Sequence, residues 1–215
     1  MSVFCVEFIY GSVDSIANWN KEEMIILICT SLVVNQLYRG LINPNQMRFL
    51  TGISNGSFDK VLLKPISTYF QINMGSIDIS SLLSSMAPLA IIIMKMDVLN
   101  VAIGFLSVLL YLLLIINGLA VVSSFMMLLY STAFIFIKAD GMNNIYFMMT
   151  SISEKPKEIF EYKSIIVSFV FIIPTIPLAN APASILLGKE NLGFMLMNIA
   201  AGIVFFFASR IAIYL

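Results

Sequence analysis

The sequence predicts an all-α protein that crosses a membrane several times, and three observations carry that prediction. Of the 215 residues, 60% are hydrophobic and only 11% are charged, whereas a water-soluble domain carries about 25% charged residues. Mean hydropathy is +0.96. Residues 98–137, 164–188 and 191–209 contain no Asp, Glu, Lys or Arg, and roughly 20 apolar residues in a helix suffice to cross about 30 Å of hydrocarbon. Net charge is zero, so there is no basic field for nucleic acid. Histidine is absent, which removes imidazole from catalytic and metal-binding schemes. Without a metal site or a nucleophile–base pair, the expectation is a chain with no catalytic residues.

The start of the chain is not a signal peptide, because its first residues carry no positive charge. Its apolar part is also too short to span, and the far end stops inside an apolar run. Both ends read as if the chain were a fragment of a longer protein. The first clear span is residues 22–40, introduced by Trp19 and closed by Arg39; tryptophan favours the headgroup layer, so Trp19 marks an interface. A polar segment, 41–67, follows with Arg48, Lys60 and Lys64. The next passage is best defined between Ser80 and Met94 and ends at Lys95 and Asp97.

Residues 98–137 pose a length problem. As one helix they would reach about 60 Å, twice the hydrocarbon thickness. Two spans turning at Asn117-Gly118 fit better, since Asn-Gly is a strong turn signal; one long helix is the alternative. Residues 138–163 have an amphipathic middle and a charged tail. In 164–188, Pro174, Pro177 and Pro182 interrupt an apolar run. Proline removes a helical hydrogen bond and clashes one turn back, so the expectation there is a re-entrant hairpin, with its broken backbone covered by protein. The last span is 191–213, with Arg210 near its far end. About five membrane passages result.

The excess of Arg39, Arg48, Lys60 and Lys64 in 39–64 places that segment in the cytoplasm of a multi-pass cell-membrane protein. Two spans in 98–137 plus a re-entrant hairpin leave 138–163 outside. One long helix plus a full span at 164–188 puts them inside, and Lys155, Lys157 and Lys163 lean towards the inside. Cys5 and Cys29 have no ligand spacing and read as two buried free thiols.

Within the cytoplasmic segment, "ISNGSFDKVLLKPIS" (53–67) is an unusual charged island. Ser57 can cap a short helix, Asp59 then sits in its first turn, and Pro65 stops it. At helical spacing Phe58, Val61 and Leu62 share one face, opposite Lys60 and Lys64. The plain alternative is a positive-inside loop. Asp78 also has two readings: a cap on the span beginning at Ile79, or a buried acid on a substrate pathway, costly unless paired. Asn198 reads as interhelical glue, beside the close-packing patch Ala200, Ala201 and Gly202.

The island resembles the signature of membrane subunits of type-2 ABC exporters, at Ile53, Gly56, Asp59, Leu62, Leu63, Lys64 and Pro65. "NWNKEE" (18–23) is similar to that family's tryptophan-plus-acid start of a span. "IIPTIPLANAPASILLG" (172–188) is similar to its proline-rich segment, at Pro174, Pro182, Ala183, Leu186, Leu187 and Gly188. The three stretches occur in the family's order. The chain departs from the pattern in lacking a complete first span and a C-terminal tail, and in carrying "AFIF" (133–136) where the family often has tryptophan.

The resemblance implies the type-2 exporter transmembrane fold over 1–215, with the cytoplasmic segment 41–67 as its coupling element. Ile53, Gly56, Phe58, Asp59, Lys60, Leu63, Lys64 and Pro65 would then contact an ATP-binding subunit. It also implies a second permease copy or a related permease as partner. Gly188-Lys189 lacks the upstream glycine of a phosphate loop, so ATP and Mg are expected on the partner and no cofactor on this chain. The competing expectations are an ion-coupled secondary transporter, which needs ionisable groups at the midplane, and a structural membrane protein.

Overall fold

A computed structural model of the chain describes residues 3–57, 63, 67–99, 104–132, 142–160, 162–189 and 192–214. The helices among them are α1 (Val3–Ile9), α2 (Lys21–Leu41), α3 (Asn43–Ser54), α4 (Thr68–Asn73), α5 (Ile79–Ser84), α6 (Met86–Val98), α7 (Phe105–Ser131), α8 (Met142–Ser153), α9 (Lys163–Phe171), α10 (Ile176–Leu186) and α11 (Leu192–Tyr214). A short 3₁₀ turn covers Lys157–Ile159. The described residues contain no strand, only an isolated bridge between Ile16 and Trp19.

Among the described residues four stretches are long and apolar enough to cross a membrane, Lys21–Leu41, Ile79–Val98, Phe105–Ser131 and Leu192–Ile213, with the bent pair α9 and α10 as a fifth if it counts as one span. The first differs from the rest. In its most apolar window 67% of residues are buried inside the protein, against 22–33% for the other three, so α2 is the central post. The outer helices instead expose Leu83, Ile93, Leu106, Leu112, Val204 and Phe207. In lipid such faces cost nothing, because the solvent is as apolar as they are.

The chain closes α2 at its start with a backbone–carboxylate bond: the Asn20 N–H donates to Glu23 Oε2 at 2.8 Å. The residues before it fold back as a tight turn, with Ala17 and Asn18 at positive φ. Trp19 does not face a headgroup layer. It is 1% exposed, and its Nε1 donates to Glu158 at 2.9 Å. Cys29 is buried as expected, whereas Cys5 is exposed, because α1 is short and packs by one face only.

Residues 105–131 form one helix of 27 residues that runs straight through Asn117-Gly118. The preference for two spans is therefore wrong. At 1.5 Å per residue the helix reaches about 40 Å, and its asparagine and glycine serve packing rather than a turn. A Cβ on Gly118 would lie 2.8 Å from the Pro177 carbonyl oxygen, so α10 approaches α7 more closely than any side chain permits.

Neither topology count survives whole. α8 starts beside the C-terminal half of α2, where the Tyr146 and Tyr38 rings stand 5.0 Å apart. It ends beside the middle of α2, where Ser153 and Ser31 hydroxyls meet at 2.7 Å. The chain then continues to Glu158, which holds Trp19. Residues 154–160 thus lie at the end of the bundle opposite Arg39, which corrects the lean that placed them with it. A helix of 12 residues covers only about 18 Å, so this return is completed by the turn and 3₁₀ residues 154–160, which helix-length counting overlooks.

Candidate functional site

The residues singled out in the sequence fall at four places. α3 buries Asn45, Gln46, Phe49 and Leu50 on one face and exposes Arg48 and Thr51 on the other. After it the chain turns outward. The Gly56 N–H donates to the Ile53 carbonyl at 3.3 Å, and Gly56 adopts φ +70°, a conformation that glycine takes without strain. Asn55 Oδ1 accepts from both the N–H and the hydroxyl of Ser57, at 3.1 and 2.7 Å. Ser57 is therefore held in an Asx turn. Ile53 is half-buried and Leu63 is 84% exposed. Phe58, Asp59, Lys60, Lys64 and Pro65 lie outside the described residues.

The second place is the proline segment. α9 and α10 meet at 114° across residues 172–175. Pro174 lies in the bend and Pro177 in the first turn of α10, where a missing N–H costs nothing. Pro182 lies within α10, every residue of which from Ile176 to Ser184 is buried. Gly188 ends it at φ +67°, and the Lys189 N–H reaches back to the Ser184 carbonyl at 2.8 Å. That left-handed helix end explains the glycine.

Asn180, which the sequence reading passed over, ties the segment down. Its Nδ2 donates to the carbonyls of Ser153 and Lys155, and its Oδ1 accepts the Lys157 N–H at 2.8 Å. A lone asparagine among Pro177-Leu-Ala and Ala-Pro182 was the available signal, since buried amides in apolar surroundings need partners.

Ion pairs gather at this end. Glu22 meets Lys95 at 2.7 Å, and Glu23 meets Lys189 at 2.6 Å. The Lys157 ammonium stands 3.5 Å over the Phe194 ring; burial lowers its pKa, and Glu158 opposes the shift.

The third place is Asp78. It caps α5, accepting from the Ser80 N–H at 3.0 Å and the Ser81 hydroxyl at 2.7 Å. Those bonds, the Ser81 hydroxyl first, hold its carboxyl below the usual aspartate range. The geometry is that of a cap, on a side chain that is not buried. Asp78→Asn should keep the cap and leave thermal stability near native, while Asp78→Leu should lower it. A pathway acid would instead make both changes abolish function with no change in stability.

Half way along α7, Asn117 Nδ2 donates to the Asn198 carbonyl at 3.0 Å. A Cβ on Gly202 would collide with Asn117 Oδ1. Asn198 is thus part of the glue between α7 and α11, although the bond runs through its backbone. Among the described residues no group of His, Cys, Asp and Glu could hold a metal ion.

The family model described as ABC-2 family transporter protein matches residues 1–214. No curated protein and no solved structure matches the chain.

Proposed function

The chain belongs to the ABC-2 transporter family, and on that premise we propose that it is the permease of an ATP-driven exporter, docked through residues 53–67 on a separate ATP-binding subunit. Membership makes it a multi-pass membrane component of an ABC transporter, not the catalytic part. The observation that carries the finer reading is the outward turn after α3. Gly56, Ser57 and Leu63 are exposed beyond a helix that is itself seated on the bundle, while the chain offers no phosphate loop. A motor on another chain needs such a projecting contact.

In this reading the Arg39 end faces the cytoplasm, with Arg48 and Arg210, in a cell membrane. The opposite end carries Lys95, Lys157 and Lys189, each beside a glutamate. α9 and α10 form a re-entrant hairpin that enters from that outer end and returns to it. Its support is the pair of anchors at the same end: Asn180 on residues 153–157, and Lys189 on Glu23. A second permease, either another copy or a related chain, completes the pathway against the exposed apolar faces. Against an ion-coupled transporter stands the chemistry half way along α7, where Asn117 and Asn198 are neutral.

Cysteine labelling tests the reading. In a Cys5→Ser background, Ser57→Cys should react only with reagents that reach the cytoplasm and should cross-link to the ATP-binding subunit. Lys155→Cys, at an exposed position, should react from outside. Labelling of both from the same side contradicts the topology, and labelling of Ser57→Cys from outside contradicts the docking site.

A further inference from the structure

At the Arg39 end, polar side chains of α3 close a set of hydrogen bonds with α2, α7 and residues 73–76. Asn45 is 4% exposed and Gln46 is fully buried. The Asn45 Nδ2 donates to the carbonyls of Leu41 at 3.1 Å, Ser76 at 2.9 Å and Asn73 at 3.4 Å. Its Oδ1 accepts the Ser76 N–H at 2.6 Å and the Ser76 hydroxyl at 3.0 Å. One amide therefore joins the helix that leads out to residues 55–66 with the chain that returns from them. Gly75 makes room for it, since a Cβ there would stand 3.0 Å from Asn45 Oδ1.

Gln46 carries the connection inward. Its Nε2 donates to Asn73 Oδ1 at 3.0 Å and to the Ser123 carbonyl of α7 at 2.9 Å, and its Oε1 accepts from the Tyr38 hydroxyl of α2 at 2.8 Å. From α4, the Tyr69 hydroxyl meets Ser209 of α11 at 3.3 Å, and its ring stands edge-on to Phe206. Attachment alone does not need these bonds, because Phe49 and Leu50 already bury the apolar face of α3. Apolar contacts hold two helices together but let them slide. Directional bonds in a low-dielectric interior fix their register.

We propose that Asn45 and Gln46 form a clasp that transmits displacement of segment 55–66 to α7, with Gln46 as the positioning residue. The proposal rests on the reading of that segment as the contact for an ATP-binding subunit. When the subunit moves the segment, both of its ends move as one body, and the Gln46 amide pulls on the Ser123 carbonyl rather than slipping past it.

The test uses the complex with its ATP-binding subunit in proteoliposomes, in a Cys5→Ser background with Ser164→Cys as a reporter at the far end. The rate of labelling by a membrane-impermeant maleimide is measured without nucleotide and after trapping with ATP and vanadate. The native background should label at different rates in the two states. Gln46→Met should remove that difference while ATP hydrolysis stays within about twofold of native. A residue that merely held the fold would lower assembly and hydrolysis together.

If Gln46→Met does not assemble, Asn45→Ala unlinks residues 73–76 from α3 and should give the same loss of nucleotide dependence. Undiminished dependence in an assembled variant overturns the clasp, as does equal labelling of the native complex in both states. Failure of any ATP-binding subunit to join the native chain strikes the underlying reading instead.

Discussion

A permease carrying Gly56→Leu with Asp59→Ala is expected to insert and fold normally, yet to fail to stimulate its ATP-binding partner. Gly56 has φ +70° with nothing within 4 Å of its Cβ position. Leucine there meets no crowding, only the left-handed backbone, which costs a non-glycine residue roughly 1–2 kcal/mol. Asp59, which the sequence places in the first turn of a short helix, offsets the helix dipole by roughly 0.3–1 kcal/mol.

Together these costs are too small to unfold a bundle built on α2, but a turned chain after Asn55 would misdirect everything beyond it. Stimulation of ATP hydrolysis should fall about tenfold or more, the factor that about 1.4 kcal/mol of lost contact free energy produces. If 53–67 were a plain positive-inside loop, both stimulation and export would stay near native.

The second large effect belongs to the bundle. Gly118→Val should lower the thermal stability of the purified protein sharply, because its Cβ would meet backbone, the Pro177 carbonyl oxygen at 2.8 Å and Leu178 Cα at 3.4 Å. Backbone cannot rotate away as a side-chain tip can, so overpacking of about 1–3 kcal/mol is the expected penalty. Gly104→Ala is the control, since its nearest neighbour would be the Ser107 hydroxyl at 3.7 Å. Equal melting temperatures for Gly118→Val and Gly104→Ala would mean that α10 does not lie against α7 as described.

Much of the fold was legible from apolar length, and the failures have identifiable causes. Charge-free runs located α7 and α11, and polar ends located α2 and the span of α5 and α6. The Asn117-Gly118 turn was misread because the same dipeptide that reverses a soluble hairpin lets two membrane helices touch: asparagine finds a carbonyl, and glycine admits a neighbour's backbone. α8 was missed as a return along α2 because it is only 12 residues long and the rest of the distance is covered by the turn and 3₁₀ residues 154–160.

At the candidate site, Gly56 and Asp78 could be read locally, since a turn glycine and a helix cap act on their own neighbours. Asn45 and Gln46 could not, because apart from the Leu41 carbonyl their partners are distant in the chain, among them Tyr38, Ser76 and Ser123, between 8 and 77 positions away. Their spacing from Phe49 and Leu50 was the one available signal: at i and i+4 they share the buried face of α3, where an amide must find partners.

The measurement closest to the central claim is ATP hydrolysis by the purified chain with and without co-purified proteins. Expressed in its own cell with an affinity tag and extracted in mild detergent, the chain should bring down a separate ATP-binding subunit, and hydrolysis should reside in that complex. The chain stripped of its partner should remain folded and hydrolyse no ATP. A folded chain that hydrolyses ATP alone, or one that carries export with no ATP-binding partner present, would contradict the account.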